Sequence, residues 1–332
     1  MKIVLISMVR NEADVIELFV RYHAEFVDEL LIIDHRSLDD TREILSQLSS
    51  EGLPIRFSQI GDPAFDQAKH MTRLMHRAAT EYGADWVLPL DADEFLTTTN
   101  DTDLRSTIEG LSPTAPALVA WRTYVPTDED PADEPNLLRR MTHRREAELE
   151  QEQKVLVPGA LAQDPKVVLG VGNHRLKRWG WRRRAIVEPI ETLALVNAHF
   201  PLRSVEQATL KGLVAWPSLV SDSQYPPKIF WNQKRMFDDI LSGEASSREW
   251  LTQFASTYAL TLGPDDDRQA PVKLVDDPVR EPVPIELRWP NPNTINPLSV
   301  VAEMAERIAG QLGDVRRAQR KKRALWARPR RP

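Results

Sequence analysis

The amino-acid sequence predicts an α/β fold in which helices flank a mostly parallel sheet. Short apolar runs alternate with stretches of helical spacing through residues 1–90. This alternation is typical of βαβ units, whose right-handed crossover connections make neighbouring strands parallel. The first run, residues 3–9 (I-V-L-I-S-M-V), is almost continuously apolar, as expected for a strand that is buried on both faces.

The other elements follow in chain order. We predict strands over residues 29–34, 55–60 and 86–90, and helices over 13–26, 40–50 and 65–82. Beyond residue 97 the alternation weakens, and the predicted strands lie near 117–124, 155–157, 167–171 and 194–198. Later helices are predicted over 205–216, 227–242 and 298–312. The acidic, proline-rich segment 126–135 is typical of a mobile loop, and residues 262–297 are rich in proline.

Composition excludes several classes of protein. The chain has 332 residues, of which 42% are apolar and 28% charged, as in an ordinary globular protein with a substantial core. It contains no cysteine. A disulfide scaffold, a thiolate metal site and a cysteine nucleophile are therefore excluded together, and any metal must bind to oxygen or imidazole.

The charge distribution is uneven. Residues 316–332 carry nine Lys or Arg and no acid, so the rest of the chain has 34 basic against 49 acidic residues, a net charge of −15. This balance argues against nucleic-acid binding. No run approaches the roughly 20 apolar residues of a membrane span, and we expect a cytoplasmic protein. The basic tail is either a peripheral contact with an anionic membrane or a solvated terminus.

The strongest chemical signal is the segment Asp91-Ala92-Asp93-Glu94-Phe95, which directly follows the apolar run W-V-L-P-L. Carboxylates at positions i and i+2 of an extended chain point the same way and can share a cation. Mg²⁺ and Mn²⁺ prefer oxygen ligands and complete their coordination with substrate phosphates, which neutralises a diphosphate leaving group. The alternative interpretation is a solvated acidic loop.

Four motifs follow one another within residues 9–95: Val9-Arg10-Asn11-Glu12, Tyr22-His23, Asp34-His35-Arg36-Ser37-Leu38-Asp39-Asp40-Thr41 and Asp91-Ala92-Asp93-Glu94-Phe95. In these motifs and their order the sequence resembles the GT-A glycosyltransferases, specifically the bacterial group close to glycosyltransferase family 2. Phe26, where relatives often have glycine, and His35, in place of a small polar residue, depart from the pattern. The resemblance implies a GT-A fold with a Rossmann-like sheet.

The resemblance also implies roles for individual residues. Asp34 would accept a hydrogen bond from a uracil-like base, with Asp39 nearby. Asp93 would bind the metal directly, and Asp91 would bind the ribose and the metal through water. The remaining candidates for binding the nucleotide-sugar donor are Asn11, Glu12, Arg10, Arg73 and Ser37. Arg10 and Arg73 would face phosphate or lie solvated. Ser37, like Thr41, is equally explained as a turn or helix-cap residue.

The second half of the chain supplies further candidates. Gly172-Asn173-His174 and His199-Phe200-Pro201-Leu202-Arg203-Ser204 look like the later part of the family pattern. His199 would complete the metal site or be a structural histidine. Arg203 and Lys211 would hold the diphosphate or lie on an ordinary helix surface. The catalytic base would be Glu94, His174 or an acid within residues 128–134.

The predicted function is transfer of a sugar, with inversion, from a nucleoside diphosphate to a hydroxyl of a glycan or lipid-linked acceptor in the presence of Mn²⁺ or Mg²⁺, with UDP as the expected nucleotide. A sugar-nucleotide nucleotidyltransferase is an alternative, although residues 1–12 contain no glycine for a phosphate loop. A non-catalytic sugar-nucleotide-binding module is another. The segment 178–184, with two tryptophans among basic residues, would stack on sugars or form a hairpin with surface charges.

The predicted organisation has three parts. Residues 1–204 form the catalytic GT-A domain, residues 205–315 a helical and proline-rich region, and residues 316–332 the basic tail, which we expect to be disordered.

Overall fold

A computed structural model of the chain describes residues 1–60, 66–100, 102–148, 153–180, 184–220, 231–259 and 272–290, together with residues 295, 299, 300, 302 and 305. The basic tail over 316–332 and most of the predicted helix over 298–312 lie outside the described residues. The proposed membrane contact of that tail therefore stays a prediction, as does the three-part division of the chain.

The described residues form one large sheet. Its strands in chain order are β1 (Ile3–Val9), β2 (Glu29–Asp34), β3 (Ile55–Gln59), β4 (Trp86–Pro89), β5 (Glu94–Thr98), β6 (Ala117–Thr123), β8 (Gln153–Pro158) and β12 (Ile190–His199). The spatial order is β3-β2-β1-β4-β8-β6-β12-β5. Pairing is parallel from β3 to β4 and between β6 and β12, whereas β8 and β5 run antiparallel to their neighbours. The predicted α/β fold class is confirmed.

Helices cover both faces of the sheet, and the core is therefore divided in two. Alternate side chains of a strand point to opposite faces. Accordingly, Ile3 and Leu5 of β1 join the apolar cluster under the first two helices, α1 (Ile16–Ala24) and α2 (Thr41–Ser50). Val4 and Ile6 join the cluster under α3 (Gln67–Thr80). Burial on both faces explains why β1 is apolar at nearly every position.

Three short helices and three later ones complete the α-helices of the described residues, together with α1 to α3. In chain order they are α4 (Leu104–Glu109), α5 (Leu137–Arg140), α6 (Gly159–Ala162), α7 (Val205–Val220), α8 (Trp231–Ser242) and α9 (Arg248–Ser256), with a 3-10 turn at Val171–Asn173. Helices α7 to α9 surround a third apolar cluster that contains Ala208, Met236 and Phe254. No helix among the described residues is long and apolar enough to cross a bilayer.

Two small sheets lie beside the large one. One consists of β9 (Val167–Leu169), β10 (Leu176–Trp179) and β11 (Arg184–Ile186), and the other pairs β7 (His143–Arg145) with β13 (Leu274–Asp276). The antiparallel pairing of Trp179 with Arg184 shows that the described part of segment 178–184 belongs to a hairpin. Residues 181–183 lie outside the described residues.

The acidic segment 126–135 is held by its own side chains. Both carboxylate oxygens of Asp130 accept hydrogen bonds from Thr127, at 3.0 Å from the backbone N–H and 2.8 Å from the hydroxyl. Asp130 is buried and also lies 3.3 Å from a guanidinium nitrogen of Arg248. These bonds hold residues 127–130 in a turn, and the mobility predicted for segment 126–135 stays a prediction.

Candidate active site

The acidic motif forms a tight turn between β4 and β5. The backbone N–H of Glu94 donates to the carbonyl of Asp91 at 3.1 Å, and the N–H of Asp91 donates to Oε2 of Glu94 at 2.9 Å. The backbone therefore turns here, whereas we predicted an extended chain from the sequence. As a result, Asp91 and Asp93 have different partners. Lys154 of β8 binds Asp91, and Lys211 of α7 binds Asp93.

Asp93 lies at the centre of the charged groups. Its Oδ2 accepts from Nζ of Lys211 at 3.0 Å and lies 3.8 Å from a guanidinium nitrogen of Arg203. Its Oδ1 faces Nε2 of His199 at 3.9 Å. Burial by itself would raise the pKa of Asp93, but the charges of Lys211 and Arg203 outweigh it and hold the pKa below its usual range. Asp93 is therefore an ionised carboxylate.

His199 is the last residue of β12 and is a neutral imidazole. Burial lowers its pKa to about 3, although the carboxylate of Asp93 opposes that change. The ring stacks on Trp121 of β6, with centroids 4.2 Å apart and an angle of 27° between the planes. Among the described residues its Nδ1 atom has no hydrogen-bond partner. A neutral imidazole has one ring nitrogen with a free lone pair, so His199 and the facing carboxylate of Asp93 are a pair of ligands suited to a divalent ion.

Lys154 of β8 is a component of the site that sequence reasoning missed. Its side chain is buried, and Nζ lies 2.5 Å from Oδ2 of Asp91 and 3.1 Å from Oε2 of Glu94. Burial opposes protonation, but the two carboxyl groups keep the pKa of Lys154 above its usual value. Burial raises the pKa of Glu94 to about 8, against the effect of Lys154. The only signal in the sequence was a lysine that begins an apolar run.

Arg203 joins the end of β12 to the loop after β1. Its guanidinium donates to both oxygens of Asp14, at 2.7 and 2.8 Å, and to Oε2 of Glu12 at 2.6 Å. The Arg203 side chain is buried, so this fork fixes the positions of both acids. Burial raises the pKa of Glu12 to about 8, with Arg203 opposing the rise. Arg203 and Lys211 thus lie in the site, and neither is on an ordinary helix surface.

Three side chains connect the loop after β1 to the loop after β2. Ser37 Oγ accepts from the N–H of Asn11 at 2.9 Å, and Thr41 Oγ1 accepts from the N–H of Glu12 at 2.9 Å. Asp39 accepts from the N–H of Ala13 at 3.0 Å. Ser37 and Thr41 therefore satisfy free backbone donors, as the structural alternative proposed, but those donors belong to the neighbouring loop instead of their own helix.

Asp34 ends β2 at the bottom of this double loop. It is fully buried, and its carboxylate accepts from the N–H of Ser37 at 3.2 Å. Burial raises its pKa, and the charges of Arg42 and Arg10 are close enough to oppose the rise. Asn11 adopts φ of 56°, which a short polar side chain tolerates, and its Oδ1 accepts from the N–H of Leu38 at 2.8 Å. The structure therefore brings together Arg10, Asn11, Ser37 and Asp34.

His174 lies on the other side of Trp121, with ring centroids 5.3 Å apart. Its Nδ1 is 2.8 Å from the carbonyl of Gln153; since a carbonyl accepts, Nδ1 carries the proton and Nε2 is the basic nitrogen. Gly172 adopts φ of 69°, and a Cβ there would come within 2.3 Å of that Nε2. Glycine at this position therefore allows the close approach of the His174 ring.

Two residues of α3 have contrasting positions. Arg73, predicted to face phosphate, is exposed on this helix. Gln67 in its first turn donates from Nε2 to Oδ1 of Asp91 at 3.3 Å and accepts from the N–H of Gly172 at 3.0 Å. Gln67, which we did not select from the sequence, thus links the acidic turn to the loop that carries His174.

Comparisons with known proteins identify structural neighbours only. No family model matches the chain, and no curated protein matches it. A mannosyltransferase from Pyrobaculum calidifontis in complex with GDP-Man and Mn²⁺ is 17% identical; the match covers 77% of this chain and 73% of that chain, with a TM-score of 0.32. HddC from Yersinia pseudotuberculosis in complex with GMP-PN is 11% identical, over 59% of this chain and 93% of that chain, with a TM-score of 0.30.

A further neighbour is glucosyl-3-phosphoglycerate synthase from Mycobacterium tuberculosis in complex with Mn²⁺, UDP and glucosyl-3-phosphoglycerate. It is 19% identical over 36% of this chain, with a TM-score of 0.27, and the match spans only 44% of that chain. The likeness to these proteins concerns the fold alone, and the GT-A type stays a prediction from the sequence.

Proposed function

We propose that this chain is a metal-dependent glycosyltransferase that moves a sugar from a nucleoside diphosphate, with UDP as the expected nucleotide, to an acceptor hydroxyl on a glycan or a lipid-linked glycan. The observation that carries the proposal is the ionised carboxylate of Asp93 opposite the neutral imidazole of His199, 3.9 Å apart. Lys211 and Arg203 lie beside this pair. A carboxylate, an imidazole and two cations together suit a metal-bound diphosphate.

The donor atoms present fit a divalent ion that is shared with the substrate. Asp93 supplies a carboxylate oxygen and His199 a neutral nitrogen, which suit Mn²⁺ or Mg²⁺. Among the described residues no group of three or more His, Asp or Glu side chains is arranged to hold a metal ion. The remaining ligands would therefore come from the diphosphate and water. When bound, such an ion neutralises the charge that develops on the leaving diphosphate.

The protein residues around this pair have separate tasks in the proposal. Asp34 and the double loop after β1 and β2 would receive the nucleotide base, since ligands of such sheets bind beyond the carboxyl ends of the strands. The ammonium of Lys211 is partly exposed, with 27% of its side chain accessible, and would meet a phosphate oxygen. Arg203 is fully engaged with Glu12 and Asp14, so its contribution is to fix the loop after β1.

Between Glu94 and His174, His174 is the better placed catalytic base, and an acid within residues 128–134 stays the third candidate. Glu94 has no exposed surface and is bonded to Lys154 and to the backbone of Asp91. His174 is half-buried, and its Nδ1–H donor to Gln153 leaves Nε2 as the basic nitrogen. A base must reach the proton that it removes, and a half-buried imidazole meets this requirement better than a carboxyl group without exposed surface. Inversion in a single displacement follows from the family resemblance.

A ligand panel tests the proposal on the purified full-length chain. UDP-sugars and GDP-sugars are added with and without Mn²⁺, and the melting temperature is recorded, since a ligand that binds the native state raises apparent stability. Nucleotide release is then measured for each donor that binds, with Asp93→Asn as the matched inactive variant. Metal-dependent stabilisation with release of the nucleoside diphosphate supports the proposal.

The same panel separates the alternatives. Stabilisation by a nucleotide sugar without release of nucleotide, whatever acceptor is supplied, identifies a binding module. Formation of pyrophosphate from a nucleoside triphosphate and a sugar phosphate identifies a nucleotidyltransferase. Either result contradicts the proposed transfer.

A further inference from the structure

Lys154 lies where a charged side chain is costly. Strand β8 is inserted between β4 and β6 in the middle of the sheet, and Lys154 pairs with the buried Val119 of β6. The side chain of Lys154 is only 1% exposed. Removing an ammonium group from water costs several kcal/mol even after relaxation, so it is tolerated only where opposite charges contact it. The residues that contact Lys154 therefore indicate its role in the site.

Those partners are two acids of the same turn. Nζ is 2.5 Å from Oδ2 of Asp91 and 3.1 Å from Oε2 of Glu94, and it lies 5.9 Å from the ring centroid of Trp121. The same Oε2 of Glu94 accepts from the backbone N–H of Asp91. The ammonium of Lys154, the two carboxyl groups and the backbone N–H of Asp91 thus form one continuous hydrogen-bond network. Asp93 is the acid of the turn that remains directed at His199.

From this arrangement we propose that Lys154 is a positioning residue that serves as the permanent counter-cation of Asp91 and Glu94, so that a divalent ion binds only at the Asp93–His199 pair. Asp91 and Glu94 would otherwise form a second place for a cation, because paired carboxylates in proteins bind divalent ions readily. The inference deepens the proposed function and rests on it for the role of Asp93 and His199. Lys154, which lies outside the acidic motif, is then the reason that only one ion binds.

The test measures Mn²⁺ binding without any donor substrate. Mn²⁺ is titrated into the full-length wild type and into Lys154→Met, which keeps the length of the side chain but removes its charge, and free Mn²⁺ is followed by electron paramagnetic resonance. Removing a positive charge in contact with Asp91 should tighten total Mn²⁺ binding about tenfold or more and add a second ion. Lys154→Arg should restore the wild-type affinity and stoichiometry, because it restores the charge.

A largely buried cation away from the site provides the matched control. Arg21 of α1 is 16% exposed and pairs with Glu17 at 2.8 Å, so Arg21→Met also removes a charge from an ion pair. Both Met variants should lose thermal stability, but only Lys154→Met should gain Mn²⁺ affinity. Unchanged or weaker Mn²⁺ binding in a folded Lys154→Met variant overturns the inference, since a merely structural lysine would give that result.

A compensated variant keeps the test decisive if Lys154→Met does not fold. Lys154→Met combined with Asp91→Asn and Glu94→Gln removes the cation together with both acidic groups that it contacts. Recovery of folding in the triple variant supports the counter-cation role, and failure of both variants to fold overturns it. If the wild type binds no Mn²⁺ even with UDP present while Lys154→Met binds it without UDP, the metal-dependent function is contradicted and the counter-cation role of Lys154 stands.

Discussion

Oδ1 of Asp93 and Nε2 of His199 face each other at 3.9 Å because strand β5 begins beside the end of strand β12. Strands β5 and β12 are antiparallel, and their register places Glu94 opposite His199. The backbone extends this pairing by one bond, from the N–H of Phe200 to the carbonyl of Asp93 at 2.8 Å. The two proposed metal ligands are therefore held by strand pairing, which is more precise than placement on independent loops.

We expect Asp93→Asn to lower metal-dependent turnover by roughly 100-fold or more, because the amide keeps the shape of the side chain but loses the charge. The fold should remain, which circular dichroism and the melting temperature would show. Glu286→Gln, at a side chain that is 89% exposed, is the matched control and should leave turnover unchanged. Turnover in Asp93→Asn close to that of wild type, or full activity of the wild type in excess EDTA, would contradict the metal mechanism.

His199→Gln should weaken Mn²⁺ affinity by about tenfold or more, whereas His174→Gln should leave it nearly unchanged. The reason is that only His199 faces Asp93, while the Nδ1 of His174 binds the carbonyl of Gln153. Mn²⁺ titration of the three proteins in the presence of UDP measures the difference. Equal affinities for wild type and His199→Gln would show that the histidine is structural or contacts the acceptor.

The sequence predicted the first part of the fold well because local patterns determine it. Continuous apolar runs marked β1 and β2 at the bounds that the structure has, and helical spacing located α1 to α3 to within a few residues. The largest error was at β5, which follows the acidic motif directly. We treated that motif as the end of a strand, but the bond between Asp91 and Glu94 makes it a turn.

The partners within the site could not be predicted, because they are set by pairing between distant strands. Lys154 meets Asp91 only because β8 enters the sheet antiparallel beside β4, and no periodicity in the sequence indicates this insertion. Arg203 was selected as a phosphate ligand, yet its nearest acids are Glu12 and Asp14 at the other end of the chain. Residue types therefore indicated the chemistry of the site, and the topology decided which charges meet.

We expect Arg203→Met to lower the free energy of unfolding by about 3 kcal/mol, because it leaves Glu12 and Asp14 without their buried cation. Arg203→Lys should recover only part of this loss, since an ammonium cannot donate the parallel bonds of the guanidinium. Urea denaturation measures both. Arg77→Met, which breaks an exposed pair with Glu81, should cost about 0.5 kcal/mol or less. Equal effects at the two arginines would contradict the fixing role of Arg203.

The stability of the protein should fall in acid because of His23 in α1. Its ring packs against Phe19 at 4.5 Å and Phe95 at 5.7 Å between centroids, and Nδ1 bonds to the carbonyl of Phe19 at 2.8 Å. Burial lowers the pKa of His23 to about 3 in the folded chain. The unfolded value is about 6.5, so between these two values the unfolded chain binds more protons and stability declines as the pH falls.

For this group alone the linkage gives a loss of about 2 kcal/mol between pH 6 and pH 4.5. His23→Phe removes the proton-binding site while keeping an aromatic ring, so its unfolding free energy should depend less steeply on pH over this range. Urea denaturation at a series of pH values measures the slopes. His76→Phe replaces a half-buried histidine of α3 that also bonds to a carbonyl, that of Ala162 at 2.7 Å, and should keep the wild-type slope. Parallel curves for wild type and His23→Phe would show that other groups cause the acid sensitivity.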